Sequence, residues 1–242
     1  VYKRQISSQG ISQINVFKRP KVGLLSTGNE LVDSSTSLKS GQIYNSNIPM
    51  LSSLLIDIGI QVIDFGVIGD NSIDLKNKIK DSVKEVDVLI TTGGASVGDE
   101  DYMNPILKRD GKIIFSKVSI KPGKPIVFGE IFGCPIFALP GNPVSAFVTF
   151  LILVKPALMR LMGHVSPHNC YIKAKSTFSS PATSREQYLR GFARSVGDDL
   201  RVDLFPNQSS GALSSVAKSN VLIRQMIGDN IRTEKLVDVL FY

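Results

Sequence analysis

Along the chain, apolar positions change their spacing in an order that predicts alternating strands and helices from about Lys21 onward. Val22–Leu25 is a short apolar run ending in Ser26-Thr27-Gly28-Asn29, and Gln61–Phe65 and Val86–Thr91 read as two more brief strands, the last again running into glycine. Between the first two, Ile48, Leu51, Leu54, Leu55 and Ile58 fall at helical spacing and stop at Gly59, a residue type that readily closes a helix. Asp74–Lys84 carries a polar-faced helical pattern, and a short helix is expected near Met103–Leu107. Lys112–Phe115, Ile126–Phe128 and Ile136–Leu139 read as further strands, and Val144–Met162 as a long apolar-rich helix stopping at Gly163. This alternation specifies an α/β fold with a doubly wound, mostly parallel sheet. Such sheets bind ligands in the crevice beyond the C-terminal ends of their strands.

After Pro167 the pattern shifts to short alternating runs (Tyr171–Lys175, Gln187–Ala193, Leu200–Leu204, Val221–Ile223, Leu236–Leu240) separated by Ser-, Gly-, Asp- and Asn-rich turns, which predicts a small all-β module. Residues 1–20 show no sustained periodicity, although Ile11, Ile14 and Val16 suit a strand. The expected division is therefore 1–20, an N-terminal remnant or linker; 21–166, the α/β domain; and 167–242, the β-barrel domain.

Composition narrows the function class. With 43% hydrophobic and 20% charged residues, the chain reads as an ordinary soluble globular protein. The longest apolar run, Ala146–Val154, is too short for a membrane span, and Lys3 and Arg4 precede no apolar signal core. Cys134, Cys170, His164 and His168 are too few for a structural zinc site, and a reduced, cytoplasmic protein is the default reading. The net charge of +7 raises the question of nucleic acid. Its placement argues against that, because Lys3, Arg4, Lys18, Arg19 and Lys21 stand in an acid-free N-terminal stretch and the remainder is scattered.

Four sets of residues could carry chemistry. Thr91-Thr92-Gly93-Gly94-Ala95-Ser96-Val97-Gly98-Asp99-Glu100-Asp101-Tyr102 takes a strand end through glycines and a serine into acids at a helix start. Its backbone N–H groups suit an anion and its acids suit a bridging divalent cation, while a plain glycine turn with acids favouring the helix dipole accounts for it equally. Ile120-Lys121-Pro122-Gly123-Lys124-Pro125 sets two lysines on a rigid turn, either as phosphate or oxyanion contacts or as solvated charges. In Leu139-Pro140-Gly141-Asn142-Pro143-Val144-Ser145-Ala146, Asn142 stands where a helix is capped and Pro143 at its first position, a junction that also seats anions. The fourth set is dispersed: Thr27, Gly28 and Glu30 after the first strand, Asn45 before the first long helix, and Asp70 after the second strand. In a doubly wound sheet, Glu30, Asp70 and Asp101 share one rim.

Taken in order, S-T-G-N-E-L, G-Q-I-Y-N-S-N, T-T-G-G-A-S-V-G-D-E-D-Y, I-K-P-G-K-P and L-P-G-N-P-V-S-A resemble the molybdopterin-binding domain of the MoeA/gephyrin E family. The resemblance runs from about Lys21 to Gly163 and continues more faintly through Arg185–Gly191 and Gln208–Asn220. It implies insertion of molybdate into adenylylated molybdopterin, with AMP release and a magnesium requirement. It also implies a homodimer and a MogA-like adenylyltransferase as a partner. Carried onto these residues, Thr27, Gly28, Asn45, Gly93, Gly94, Ser96 and Gly98 would seat the pterin phosphate or adenylate. Glu30, Asp70 and Asp101 would line the metal or hydrolytic region. Lys121 and Lys124 would attract phosphate or molybdate, and Pro140, Gly141, Asn142, Pro143 and Ser145 would form another wall. Arg190 and Ser210 would look into the cleft as anion contacts, the ordinary alternative being a surface arginine and a turn serine. A MogA-like adenylyltransferase and a non-catalytic binding or scaffold module remain the competing readings. Full-length family members carry two further domains that lend residues to the active site; by that resemblance Gln9–Arg19 would be the last strand of one of them, and the fragment alone could be inactive.

Overall fold

The structure, a computed structural model, describes residues 2–94 and 102–242. After a short helix α1 (Tyr2–Ser8) and an irregular stretch come β1 (Lys21–Thr27), β2 (Leu31–Val32), β3 (Ile43–Tyr44), α2 (Asn47–Asp57), β4 (Gln61–Ile68), α3 (Ser72–Ser82), β5 (Val88–Thr92) and α4 (Met103–Asp110). The chain continues through β6 (Gly111–Ser116), β7 (Ile120–Lys121), β8 (Val127–Ile131) and β9 (Cys134–Leu139) into α5 (Pro143–Thr149), a π-helical turn (Phe150–Val154) and α6 (Lys155–Leu161). The remainder is β10 (Ile172–Ser176), β11 (Glu186–Val196), β12 (Asp199–Leu204), α7 (Leu213–Ala217), β13 (Val221–Gln225) and β14 (Leu236–Phe241).

The first sheet has the order β4-β1-β5-β9-β8-β6. Its four strands β4, β1, β5 and β9 are parallel, whereas β8 runs antiparallel to β9 and β6 antiparallel to β8. The sheet is thus parallel where the expectation placed its ligand rim and antiparallel at one edge. Hydrophobic periodicity specifies a strand but carries no information on its direction. Strand β5 is buried at every position, as expected of a strand covered on both faces. Leu51 and Leu55 of α2 pack on one face with Phe147 and Phe150, and Leu75, Ile79 and Met103 on the other.

One N-terminal expectation changes: residues 11–20 form no strand. Tyr2–Ser8, for which no element was expected, is helical without burying a side chain. The C-terminal half of the long helix also differs from a uniform α-helix. Pro156 has no N–H to give to the preceding turn and its ring crowds that turn's carbonyl, and the π-helical turn ends at Val154, two residues before it. Pro143–Leu161 spans 19 residues and contains an 18-residue window with a mean hydropathy of 1.8, so by length and composition it could cross a membrane, contrary to the reading from Ala146–Val154 alone. Val144, Ala146, Val148, Phe150, Val154 and Leu158 are instead buried in the protein core, which accounts for the composition.

The second sheet has the order β12-β10-β14-β13-β11, and pairing of β12 with β11 closes it into a five-stranded barrel. Ala174, Leu189, Val202, Ile223 and Val239 fill its interior. Strand β7 belongs to the α/β part of the chain yet pairs in parallel with β11, Ile120 against Glu186 and Lys121 against Gln187. Tyr188, Val216, Leu222 and Leu240 from the C-terminal half join the core beneath α5, so both halves share one hydrophobic cluster. The I-K-P-G-K-P turn is thereby held between the two sheets.

Candidate functional site

Four adjacent parallel strands end on one rim, and a cavity of about 330 Å³ lies there. Thr27, Gly28 and Glu30 follow β1, Thr92, Gly93 and Gly94 close β5, Pro140–Pro143 follow β9, and Asp70 follows β4. Asn45, before α2, completes the set, so the dispersed residues read from the sequence meet in one place. The glycines are dictated by contact. A Cβ on Gly93 (φ +84°) would stand 2.3 Å from the Thr27 carbonyl oxygen, and one on Gly94 (φ +63°) 2.9 Å from Thr27 Oγ1. Any side chain at Gly93 would wedge β5 away from β1.

Beneath the cavity, the Ser26 and Thr92 hydroxyls share a hydrogen bond of 2.9 Å across the buried strands. Asn45 Oδ1 accepts the Ile48 N–H at 3.3 Å, fixing the start of α2. Asn47 Nδ2 donates to the Gly141 carbonyl at 2.8 Å and so ties α2 to the turn after β9. Asn142 does occupy the position before α5, with Pro143 at the helix start, but its side chain makes no capping bond. The Val144 N–H is taken instead by the Ser210 carbonyl at 3.1 Å, which leaves the Asn142 side chain among the cavity's lining groups.

Glu30 and Asp70 line this same cavity. Asp70 Oδ2 accepts the Asn29 N–H at 3.0 Å. Two carboxylates lining one cavity supply hard oxygen donors that suit Mg2+, which commonly binds one or two carboxylates plus substrate oxygens and water. Among the described residues no group of three metal-ligating side chains gathers. Asp101, Ser96 and Gly98, expected on this rim, lie outside the described residues.

A second cavity of about 460 Å³ lies between β7, the start of α5 and β11. Lys121, Lys124 and Ser145 line it from the α/β side, Arg190 and Ser210 from the barrel side, and Pro125 lines both cavities. Arg185 adds a further cation, and no carboxylate lines this cavity among the described residues. Arg190 is 1% exposed, which removes the surface-arginine alternative. Its Nε donates to Ser215 Oγ at 3.1 Å, and its two terminal nitrogens donate to the Tyr188 and Ser209 carbonyls at 3.4 and 3.2 Å. These are neutral partners. Burial therefore pulls the guanidinium down to about 10, with no carboxylate among the described residues to offset it. A buried cation without a counter-charge is costly, and an oxyanion entering the cavity would supply the missing charge.

Sequence reasoning missed Tyr44 and Asn47 in the first cavity and Arg185, Gln187, Tyr188 and Gln208 in the second. Asn47 stood inside the quoted G-Q-I-Y-N-S-N motif. Gln187 and Tyr188 fall within the Arg185–Gly191 stretch of the resemblance but were not singled out there, and pairing of β7 with β11 shows their place beside Lys121.

Comparison with known proteins identifies the family of both parts of the chain. The model of the probable molybdopterin binding domain matches residues 23–160, and that of the MoeA C-terminal region (domain IV) matches residues 173–241. A molybdopterin molybdenumtransferase of Haemophilus influenzae is 36% identical over 90% of this chain and 55% of its own length. The molybdenum cofactor synthesis protein cinnamon of Drosophila melanogaster is 34% identical over 86% of this chain and 35% of its own. The crystal structure of the molybdopterin biosynthesis MoeA protein from Pyrococcus horikosii superimposes with a TM-score of 0.82 at 30% identity, covering 98% of this chain and 58% of that one. The chain spans about half the length of the Haemophilus relative and about a third of the Drosophila one. The chain belongs to the molybdopterin-binding domain family and carries the MoeA C-terminal region behind it.

Proposed function

We propose that this chain binds adenylylated molybdopterin and molybdate and takes part in inserting the metal oxyanion with release of AMP, as a molybdopterin molybdenumtransferase. The observation that carries this reading is the pair of cavities meeting at Pro125, one lined by glycines, Asn142 and two carboxylates, the other by four cations. A phosphate-bearing pterin and an oxyanion are complementary to these two linings, and a shared wall puts them side by side. Glu30 and Asp70 would hold Mg2+, which would offset charge on the phosphoanhydride as it is cleaved. Lys121, Lys124 and Arg190 would hold the oxyanion through charge-assisted hydrogen bonds, the lysines as mobile point charges and Arg190 as a fixed fork. Gly93 and Gly94 would let the backbone approach the phosphate, with Thr27 and Asn45 positioning that segment.

The dimer, the MogA-like partner and a cytoplasmic setting belong to the same proposal. The unpaired state of Cys134 and Cys170 is compatible with a reducing compartment. The test is titration of the chain with molybdopterin and its adenylate by fluorescence, with and without Mg2+, beside calorimetric titration with molybdate. Tighter binding of the adenylate with Mg2+, weakened in Asp70→Asn and Asp101→Ala, together with molybdate binding lost in Lys121→Ala, is the expected result. AMP release separates a transferase from a scaffold, which would bind and release none. A folded chain that binds neither the pterin ligands nor molybdate would overturn the reading.

A further inference from the structure

The second cavity raises a question of charge. Four cations line it, and the residue between two of its lining residues is Glu186, flanked by Arg185 and Gln187. Glu186 also stands opposite Ile120 in the β7–β11 pairing, one position from Lys121. A free carboxylate there would be an internal competitor for an incoming oxyanion, since its charge has the same sign and it is already tethered beside Lys121 and Arg185.

The carboxylate is occupied elsewhere. Arg224 stands across from Tyr188 in the β11–β13 register, and its Nε donates to Glu186 Oε1 at 2.5 Å. The Tyr188 hydroxyl donates to the same oxygen at 2.7 Å. The Tyr171 ring lies under the Arg224 guanidinium at 5.0 Å, and the Tyr171 and Tyr188 hydroxyls approach to 3.4 Å. Glu186 and Arg224 keep only 21% and 29% of their side-chain surface, so water screens this pair less than the protein's more exposed ion pairs. Along β11, Glu186, Tyr188 and Arg190 alternate onto one face; the last two line the cavity, as does Gln187 between Glu186 and Tyr188, which leaves Glu186 at its border. Among the described residues no carboxylate lines the cavity, and the adjacent one, Glu186, is bound to Arg224.

We propose that Arg224 is a positioning residue for oxyanion binding: by holding Glu186 it keeps Lys121, Arg185 and Arg190 available to the anion. Arg224 touches no ligand in this account and acts through Glu186. The inference rests on reading this cavity as the oxyanion seat, and it extends that reading to a residue outside the cavity. It also predicts a direction that packing alone would not produce. Loss of Arg224 releases a negative charge towards the site, and neutralising Glu186 in the same chain removes that charge again.

The experiment is calorimetric titration of molybdate into the whole chain and into four variants, with thermal melting to verify folding. Arg224→Met is expected to weaken molybdate binding about tenfold, and Arg224→Lys to stay within about threefold of wild type. Arg224→Met combined with Glu186→Gln should return to within about threefold of wild type, and Glu186→Gln alone should bind at least as tightly as wild type. An unchanged affinity in Arg224→Met, a double variant as weak as Arg224→Met, or weaker binding in Glu186→Gln would each overturn the proposal. Should Arg224→Met fail to fold, Arg224→Gln takes its place with the same expected loss and the same rescue by Glu186→Gln, and weaker binding in Glu186→Gln alone still overturns the proposal. Absence of molybdate binding in the wild-type chain removes the oxyanion-seat reading itself, an outcome distinct from wild-type binding that ignores Arg224.

Discussion

Asn29 and Asp70 hold each other by a reciprocal pair of hydrogen bonds: the Asn29 N–H donates to Asp70 Oδ2 at 3.0 Å, and the Asp70 N–H donates to Asn29 Oδ1 at 3.0 Å. The pair ties the loop after β1 to the loop after β4, across the edge of the parallel rim, and so fixes Asp70 relative to Glu30. Asn29→Ala removes the Oδ1 acceptor and should cost about 1 kcal/mol in urea unfolding, the usual contribution of one hydrogen bond, and should weaken the Mg2+-dependent part of adenylate binding. Asp70→Asn keeps an acceptor for Asn29 and loses the charge. It should leave stability within about 0.5 kcal/mol and remove the Mg2+ dependence. Equal loss of stability in both variants would mean that the carboxylate serves the fold and not the cation.

Gly123 separates Lys121 and Lys124, with φ at +118°. A Cβ there would stand 2.4 Å from Thr149 Cγ2, inside the core beside α5. Thr149 cannot easily yield, because its hydroxyl donates to the Ser145 and Ala146 carbonyls at 2.8 and 3.1 Å and the residue is fully buried. Gly123→Ala is expected to destabilise by about 2–3 kcal/mol and to weaken molybdate binding as the lysine turn shifts. Adding Thr149→Ser removes the offending methyl. The double variant should recover about half of the lost stability, the remainder being backbone strain, as denaturant titration of the three proteins would reveal.

Much of the α/β framework was legible in the order of apolar spacings. Ile48 to Ile58 turned out as α2 and Val22 to Leu25 as the heart of β1, because burial on one helical face or on both strand faces leaves its period in the sequence. What had no local signature was pairing. Nothing in Lys112–Phe115 distinguishes the antiparallel edge from the parallel centre, and two residues of β7 are too few for any period. Residues that reach the first cavity from strand ends were readable because glycine, proline and acid punctuation marks those ends. Arg190 is the contrary case: an arginine in an alternating strand looks solvent-facing, and only closure of the barrel against α5 buries it.

Arg190 makes a sharper prediction than the exposed lysines. Its guanidinium bridges Ser215, Tyr188 and Ser209 but is charged against neutral partners. Arg190→Met removes the desolvated charge and leaves those acceptors without a donor, two effects of opposite sign. The net loss of stability should therefore be about 1–2 kcal/mol, well below that for breaking a buried ion pair. Molybdate binding should fall by at least tenfold, and added molybdate should no longer raise the melting temperature. A variant melted with and without molybdate distinguishes the two contributions directly. Retained stabilisation by molybdate would place the oxyanion elsewhere.

The two thiols should behave as opposites. Cys170 is exposed, whereas Cys134 is 5% exposed and packs with Ile131 and Ile136, and burial pushes its thiol up to about 11. In the native protein an aromatic disulfide reagent should therefore titrate Cys170 rapidly, and Cys134 only after unfolding. The raised value also sets the sign of a pH effect. Between about pH 9 and 11 the unfolded thiol has lost its proton while the folded one keeps it, so the folded state binds more protons. Stability from this group is complete below pH 9 and declines as pH rises towards 11, by at most about 2–3 kcal/mol. Cys134→Val should flatten that decline in urea unfolding measured at pH 8 and pH 10. An equally steep loss in the variant would assign the alkaline instability to another group.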